Sequence, residues 1–269
     1  MIIDFHTHVF PDKIAHKTIA LLSEKANIPA YTDGTVDGLL QRMNEAGVSL
    51  AVNLPVLTSP AQFESVNRFA ADLNQRFADE ALRIVSFAGI HPACEEIEKK
   101  MAWIRENGFL GVKIHPDYQE TFINDPGYVR ILECAKEQDL IVLTHAGVDG
   151  GYPGHPVRCT PVLVKQVIER VHHKKFVLAH YGANEMSDGV LELLCGEDVY
   201  LDTAYILRFI GKERFVEILN RHGADKILFA SDSPWSHMGN DVNILRSFSL
   251  DQQTEDKILY QNAKKLLGL

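Results

Sequence analysis

The sequence predicts a single (β/α)8 TIM barrel spanning residues 1–269. Three observations predict it. Eight short runs rich in Val, Ile, Leu and Phe have the composition of strands buried on both faces, as in a parallel sheet. Each run is followed by apolar residues at helical spacing. No composition shift or linker divides the series, and eight βα units in about 250 residues is the arithmetic of such a barrel. A doubly wound sheet is the alternative. It often carries a Gly-rich phosphate turn, and this chain has no G-x-G-x-x-G or Walker-type pattern.

The strands are expected at 2–6, 48–54, 83–90, 109–115, 140–145, 175–180, 198–202 and 226–231. The connection after the first, 9–34, is the longest and contains a candidate helix around Ile14 to Ala26. Long βα loops of this kind form lids or substrate walls. Thr35 to Ala46 puts Val36, Leu39, Leu40 and Met43 on one face, with Gly47 able to close the helix. Further helices are expected at 61–77, 95–107, 127–138, 160–172, 187–194, 212–221 and 251–267. A Gly- and Pro-rich stretch, 148–160, makes a second loop at the rim.

Bulk composition narrows the function. A 46% apolar chain has an ample core. Twenty-seven Lys and Arg against 36 Asp and Glu leave a charge of −9, which argues against nucleic acid as a partner, because that affinity rests on basic residues neutralising phosphates. No apolar run approaches the roughly 20 residues of a membrane span, and a strand begins too early for a signal peptide. Cys94, Cys134, Cys159 and Cys195 are dispersed, without a C-x-x-C pair, and read as reduced thiols. The expectation is a cytoplasmic protein acting on a small molecule. A homodimer is the default assembly, dimers being commonest.

Active sites of barrels lie at the C-terminal ends of the strands. His6 and His8 end strand 1, His115 ends strand 4, and His145, His180 and Asp232 end strands 5, 6 and 8. Histidines at i and i+2 on a strand share a face, so His6 and His8 can meet one ion. Val142-Leu143-Thr144-His145-Ala146-Gly147 is echoed by Val177-Leu178-Ala179-His180-Tyr181-Gly182. Zinc takes His nitrogen and carboxylate oxygen, and a catalytic site keeps one position open. His6, His8, His145 and Asp232 supply such a set. Mn, Fe and Ni suit the same ligands. Asp232 could also accept a proton. His180 could serve as acid or base, hold an oxyanion or bind a second metal. Trp235 places an aromatic wall beside Asp232.

Each of these residues also has a plain structural role open to it. His6 and His8 taken alone fit buried, hydrogen-bonded histidines, and His145 and His180 fit strand-end caps. Asp232 fits a turn residue before Ser233-Pro234. His91 leans structural, and Asp4 is a supporting residue below His6. Asp202 could orient a histidine or simply pack. His115, Tyr152, Arg158 and Trp235 are the candidate substrate residues. His155, Arg208 and His237 are further rim residues, where an arginine would suit a carboxylate. His16, His172, His173 and His222 fall on helices and are expected at the surface.

The segments DFHTHVFPDKIA, GVKIHPDYQ, VLTHAG, VLAHYG, VYLDT and ILFASDSPW resemble the amidohydrolase superfamily, in its amidohydrolase-2 branch, in order along nearly the whole chain. The resemblance implies a metal-dependent barrel with His6, His8, His145 and Asp232 as ligands and His180 as the catalytic or second-metal histidine. It also sets Lys113 near the position where binuclear members carry a bridging lysine carbamate. A protonated Lys113 paired with a substrate carboxylate is the alternative. TatD-type nucleases resemble the chain at Asp117-Tyr118 but would want Glu in place of Lys113.

The expected function is hydrolysis of an amide, ester or lactone bond of a small molecule by metal-activated water, with one or two zinc ions. Non-oxidative decarboxylation of a small carboxylic acid is the second reading. A non-catalytic metal-binding barrel is the third.

Overall fold

The computed structural model describes residues 1–269. Its strands are β1 (Ile3–Thr7), β2 (Leu50–Asn53), β3 (Arg83–Ser86), β4 (Ala88–Gly89), β5 (Gly111–Ile114), β6 (Ile141–Thr144), β7 (Phe176–Leu178), β8 (Tyr200–Asp202) and β9 (Ile227–Leu228). All neighbours pair in parallel, in two sheets, β1-β2-β3 and β4 through β9. The expected eight strands are all present. β3 and β4 are two halves of one of them, parted at Phe87, the first half bonded to β2 and the second to β5. The other seam joins β1 to the residues after β9. Phe5 N–H donates to Phe229 O at 2.9 Å, Asp232 N–H to His6 O at 2.9 Å and His8 N–H to Ser233 O at 2.7 Å. Asp4 reinforces this seam by accepting from Ser231 N–H at 3.0 Å and from the Ser231 hydroxyl.

Two apolar layers follow from the alternation along each strand. Ile3, Phe5, Val52, Phe87, Leu143, Val177 and Leu228 fill the barrel interior. Ala51, Ile84, Val112, Val142, Leu201 and Phe229 face outward into the layer covered by helices. The same alternation turns Lys113, between Val112 and Ile114, toward the interior.

The helices are α1 (Asp12–Ala26), α2 (Val36–Ala46), α3 (Phe63–Arg76), α4 (Ile97–Glu106), α5 (Pro126–Glu137), α6 (Pro161–Val171), α7 (Ser187–Leu193), α8 (Leu207–Ile210), α9 (Lys212–His222), α10 (Met238–Ser247), α11 (Gln252–Asp256) and α12 (Asn262–Leu267). Thr35 and Thr160 cap α2 and α6, their hydroxyls accepting the Gly38 and Leu163 amides. Gly47 closes α2 at φ 68°. The long 9–34 connection is mostly α1, which starts at Asp12 rather than Ile14. α8 and α10 were not legible in the sequence. α8 is a single turn. α10 buries only Met238, Asp241, Val242 and Leu245, a stripe too thin to stand out. The last helical region is continuous from Gln252, with a wide turn at Lys257–Gln261 joining α11 to α12.

Two histidines expected at the surface are buried. His222 Nε2–H donates to Val199 O at 3.1 Å while its Nδ1 accepts from Gly196 N–H at 3.3 Å. His173 follows α6 and donates to Leu140 O at 2.9 Å. Periodicity placed them on polar faces, but each satisfies a loop carbonyl under its helix end. Burial lowers the His173 imidazole to about 4. The unfolded chain therefore takes up a proton near pH 6.5 that the folded chain refuses until about pH 4. Stability from this residue is present above pH 6.5 and lost as pH falls. Urea unfolding at pH 7 and pH 4 should show the wild type losing about 3 kcal/mol more than His173→Gln over that interval. Equal losses would show that His173 titrates normally.

Candidate metal centre

Register slips by one residue between Asp4 and Thr7 as β1 runs beside β2. Such a bulge re-aims side chains at barrel rims. Below it Ile3 and Phe5 fill the interior; above it His6 and His8 turn into the mouth, and Thr7 turns away to bond Val52 O at 2.9 Å. Each histidine is held through Nδ1. His6 Nδ1 donates to Asp202 Oδ2 at 2.9 Å, and His8 Nδ1 donates to Leu54 O at 2.8 Å. With the proton on Nδ1, each Nε2 is a bare acceptor. The two Nε2 atoms lie 3.2 Å apart, and Asp232 Oδ1 is 3.1 Å from one and 3.4 Å from the other.

Three acceptors thus converge where no hydrogen bond among them is available. These residues fit a divalent cation, with imidazole and carboxylate as its ligand types. Burial, with the nearby Lys113 charge, holds the His6 imidazole well below its ordinary value, which keeps the nitrogens free for a cation. Lys113 Nζ stands 3.2 Å from His6 Nε2. Burial lowers its ammonium to about 8, against the opposing pull of Asp202 and Asp232.

A second pair lies alongside. His180 Nδ1 donates to Ala204 O at 3.0 Å, so its Nε2 is bare, and it faces His145 Nδ1 at 2.9 Å. On its other side His145 Nε2 is buried without a partner, 3.9 Å from both Asp117 Oδ2 and Asp149 Oδ2. The 2.9 Å contact is a hydrogen bond when His145 carries its proton on Nδ1 and a pair of converging acceptors when it carries it on Nε2. The structure therefore groups His6, His8 and Asp232, and sets His145 with His180 beside them rather than in the same cluster. The His6 and His180 rings are 5.7 Å apart, centroid to centroid.

The backbone is strained where these groups are presented. His180 and Asp232 have φ of 59° and 68°, a conformation costing a side-chain-bearing residue about 1 kcal/mol or more. Gly147, two residues past His145, has φ 84° and lies so close to Asn184 that a Cβ would sit 2.2 Å from its amide nitrogen.

Asp149 and Asp117 were missed as site residues. The signal was Asp149 at i+4 from His145 in a Gly-rich loop, which by itself reads as a turn. His115, His145 and Asp149 also come within metal-holding reach, but the two rings stack at 4.3 Å and 8°. Their lone pairs run side by side instead of meeting, so Asp149 acts as a hydrogen-bond acceptor, 3.3 Å from His115 Nε2. His115 Nδ1 accepts from Tyr118 N–H at 3.3 Å, and burial lowers its imidazole to about 4.

Asp202, at the end of β8, does orient a histidine. Its Oδ1 accepts from His180 N–H and Ala204 N–H, both at 3.0 Å. Burial raises its carboxyl to about 6, although His180 and Lys113 oppose this. Of the expected substrate residues, His115 stacks on His145 and is joined to Tyr152 through the ring of Tyr118. Arg158 is paired with Asp117 at 3.4 Å. Tyr152 sits farther out, stacked under Lys25 Nζ at 3.5 Å. Trp235 bonds back to Asp232 O at 2.7 Å and is half-buried. His91 accepts from Ala93 N–H, and His237 caps α10.

Known structures share this fold. An amidohydrolase assigned as putative, from Staphylococcus aureus, superposes with a TM-score of 0.71 at 20% identity, over 100% of this chain and 99% of that one. A dihydroxybenzoic acid decarboxylase from Polaromonas, solved with manganese and 2-nitroresorcinol, gives 0.73 at 16%, over 100% and 97%. A probable 2-pyrone-4,6-dicarboxylic acid hydrolase from Acinetobacter baumannii, with citric acid bound, gives 0.69 at 17%, over 100% and 99%. No curated protein is similar enough in sequence to count as a match. No helix is long and apolar enough to cross a membrane. The profile described as Amidohydrolase matches residues 3–269, and the chain belongs to this family, in its amidohydrolase-2 branch.

Proposed function

We propose that the protein is a metal-dependent hydrolase of amide, ester or lactone bonds in a small molecule. The observation that carries this reading is the convergence of His6 Nε2, His8 Nε2 and Asp232 Oδ1 within 3.4 Å of one another, with both imidazole protons held on Nδ1 by Asp202 and Leu54 O. His6, His8 and Asp232 hold one divalent cation. His145 and His180 face the neighbouring position, and Lys113 stands between the clusters. A cation held there would supply Lewis acidity to a carbonyl and to a water molecule near neutral pH. Asp232 Oδ accepts the proton released by the water. His180 Nε2, bare as an acceptor, would take up a proton before returning it to the developing anion. Asp202 holds His6 in the tautomer that leaves Nε2 free, while Asp149 and Asp117 face the distal nitrogen of His145. Zinc is the metal of choice for these ligands, with manganese as the metal held by a similar decarboxylase. Lys113, lowered to about 8 by burial, has the uncharged amine fraction that carbamate formation with carbon dioxide requires.

The second reading, decarboxylation, is favoured by Arg208. It has no carboxylate within ion-pair distance, and its Nε is buried without a partner. It donates instead to Trp235 O at 3.0 Å and Tyr31 Oη at 3.4 Å. Against this reading, Arg158 is already neutralised by Asp117. A simple panel separates the two: turnover of esters and lactones that disappears with chelator supports hydrolysis, and carbon dioxide release from hydroxybenzoic acids with no ester turnover would reverse the order.

Metal content tests the two positions. Plasma mass spectrometry of chelator-free protein should find two metals per chain, falling to one or none in Lys113→Ala. A single metal unchanged by the mutation makes Lys113 a substrate residue. Asp202→Ala should keep the fold but weaken metal affinity about 10- to 100-fold, as loss of a histidine-orienting carboxylate does, measured by competition with a chromophoric chelator. Unchanged affinity would remove Asp202 from the site.

A further inference from the structure

One residue of the metal centre, His180, lines a cavity of about 530 Å³ that runs outward between α7, α8 and α9. It falls within the 300–1,000 Å³ range of small-molecule sites. Buried His180 and half-buried Tyr205 both line it; Tyr205 N–H donates to Ser231 O at 3.1 Å, beside Asp232. Its walls include Ile206, Phe209 and Ile210. Its solvent end carries Glu185 and Arg214.

Two features set this cavity apart from a packing fault. The first is strain. Among the eleven non-glycine residues of this chain with positive φ, four line it: His180, Tyr181, Glu185 and Tyr205, at 58° to 64°. Strained backbone collects at ligand sites, where the surrounding fold holds it in place. The second is charge. Arg214 is bonded to Asp188 at 2.8 Å and Glu217 at 3.1 Å. Neither carboxylate lines the cavity, so the Arg214 charge is already taken up from outside it, and Glu185 is the lining carboxylate without an ion pair. A second anionic group would be repelled there. An amine or a neutral hydroxyl would be accepted.

We propose that this cavity is the specificity pocket of the site. It takes the apolar body of a substrate whose reacting group lies at His180 and whose far end is an amine or a neutral polar group rather than a carboxylate. This rests on the catalytic reading above and narrows its substrate class. Ile210 is the selecting side chain, half-buried at the end of α8 and turned into the cavity.

Three probes share one apolar body and differ in the end group: 4-phenylbutylamine, 4-phenyl-1-butanol and 4-phenylbutyrate. Their affinities are measured by saturation-transfer NMR on metal-loaded wild type, Ile210→Trp and Glu185→Lys. Ile210→Trp fills the cavity from a half-exposed position. The amine and the alcohol should each bind at least tenfold more weakly to Ile210→Trp. The amine alone should weaken further in Glu185→Lys. The acid should show no loss in Ile210→Trp, because any binding it has lies elsewhere. Equal affinities in wild type and Ile210→Trp for all three would overturn the pocket. Loss confined to the acid would overturn the charge class. A circular-dichroism melt confirms that each variant is folded, and a third variant, Phe209→Ala, enlarges the cavity and should retain amine binding. Metal content of the same samples keeps the two claims apart. Protein that takes up no metal yet binds the amine through Ile210 sinks the catalytic reading and supports the pocket. Protein that holds metal without cavity-dependent binding overturns the pocket alone.

Discussion

One buried carboxylate, Asp202, ties the centre together. Its two oxygens bond His6 Nδ1 from β1 and the His180 and Ala204 amides beyond β7 and β8. It thereby fixes the tautomer of one histidine and the backbone turn that presents another. Every other distance at the mouth depends on this. If His6 carried its proton on Nε2, it would donate to His8 or Asp232, and the convergence of acceptors would dissolve into an ordinary hydrogen-bond chain. Holding such a carboxylate out of water is costly unless it is fully bonded, and here three donors surround it.

The rest of the barrel serves that arrangement. The strand-to-strand bonds from Phe5, Asp232 and His8 bring β1 against the segment after β9, which is why residues 6, 8 and 232, far apart in the chain, share one cluster. Asp4 and Ser231 brace the same seam from below. The interior apolar cluster fills the barrel beneath the mouth, and the histidines of the centre sit above it, where loop carbonyls such as Leu54 O and Ala204 O satisfy them. The left-handed turns at His180 and Asp232 are stored cost, sustained by the helical layer outside.

Much of this was legible in the chain. Strand composition is a local property, so all eight barrel strands were placed within three residues at each end, as were helices with wide apolar stripes such as α2 and α3. The candidate ligands His6, His8, His145, His180 and Asp232 announced themselves by recurring where apolar runs stop. Where local signals were thin, the reading failed. α10 has too narrow a stripe, α8 is too short, and His173 and His222 turned inward because of loop carbonyls that no helical periodicity encodes.

The sequence by itself determined the barrel, its family and which residue types gather at its mouth, because burial and spacing act over a few neighbours at a time. Only the tertiary structure decided how they group. His145 pairs with His180 instead of joining His6 and His8, and Asp149 from its own loop and Asp117 from the loop after β5 approach it. Arg158 is spent on Asp117 while Arg208 remains without an acid. A cavity opens between α7, α8 and α9 with Glu185 and an already paired Arg214 in its lining. These outcomes depend on distances between residues tens to hundreds of positions apart, set by barrel closure and by which hydrogen-bond partner each buried nitrogen meets.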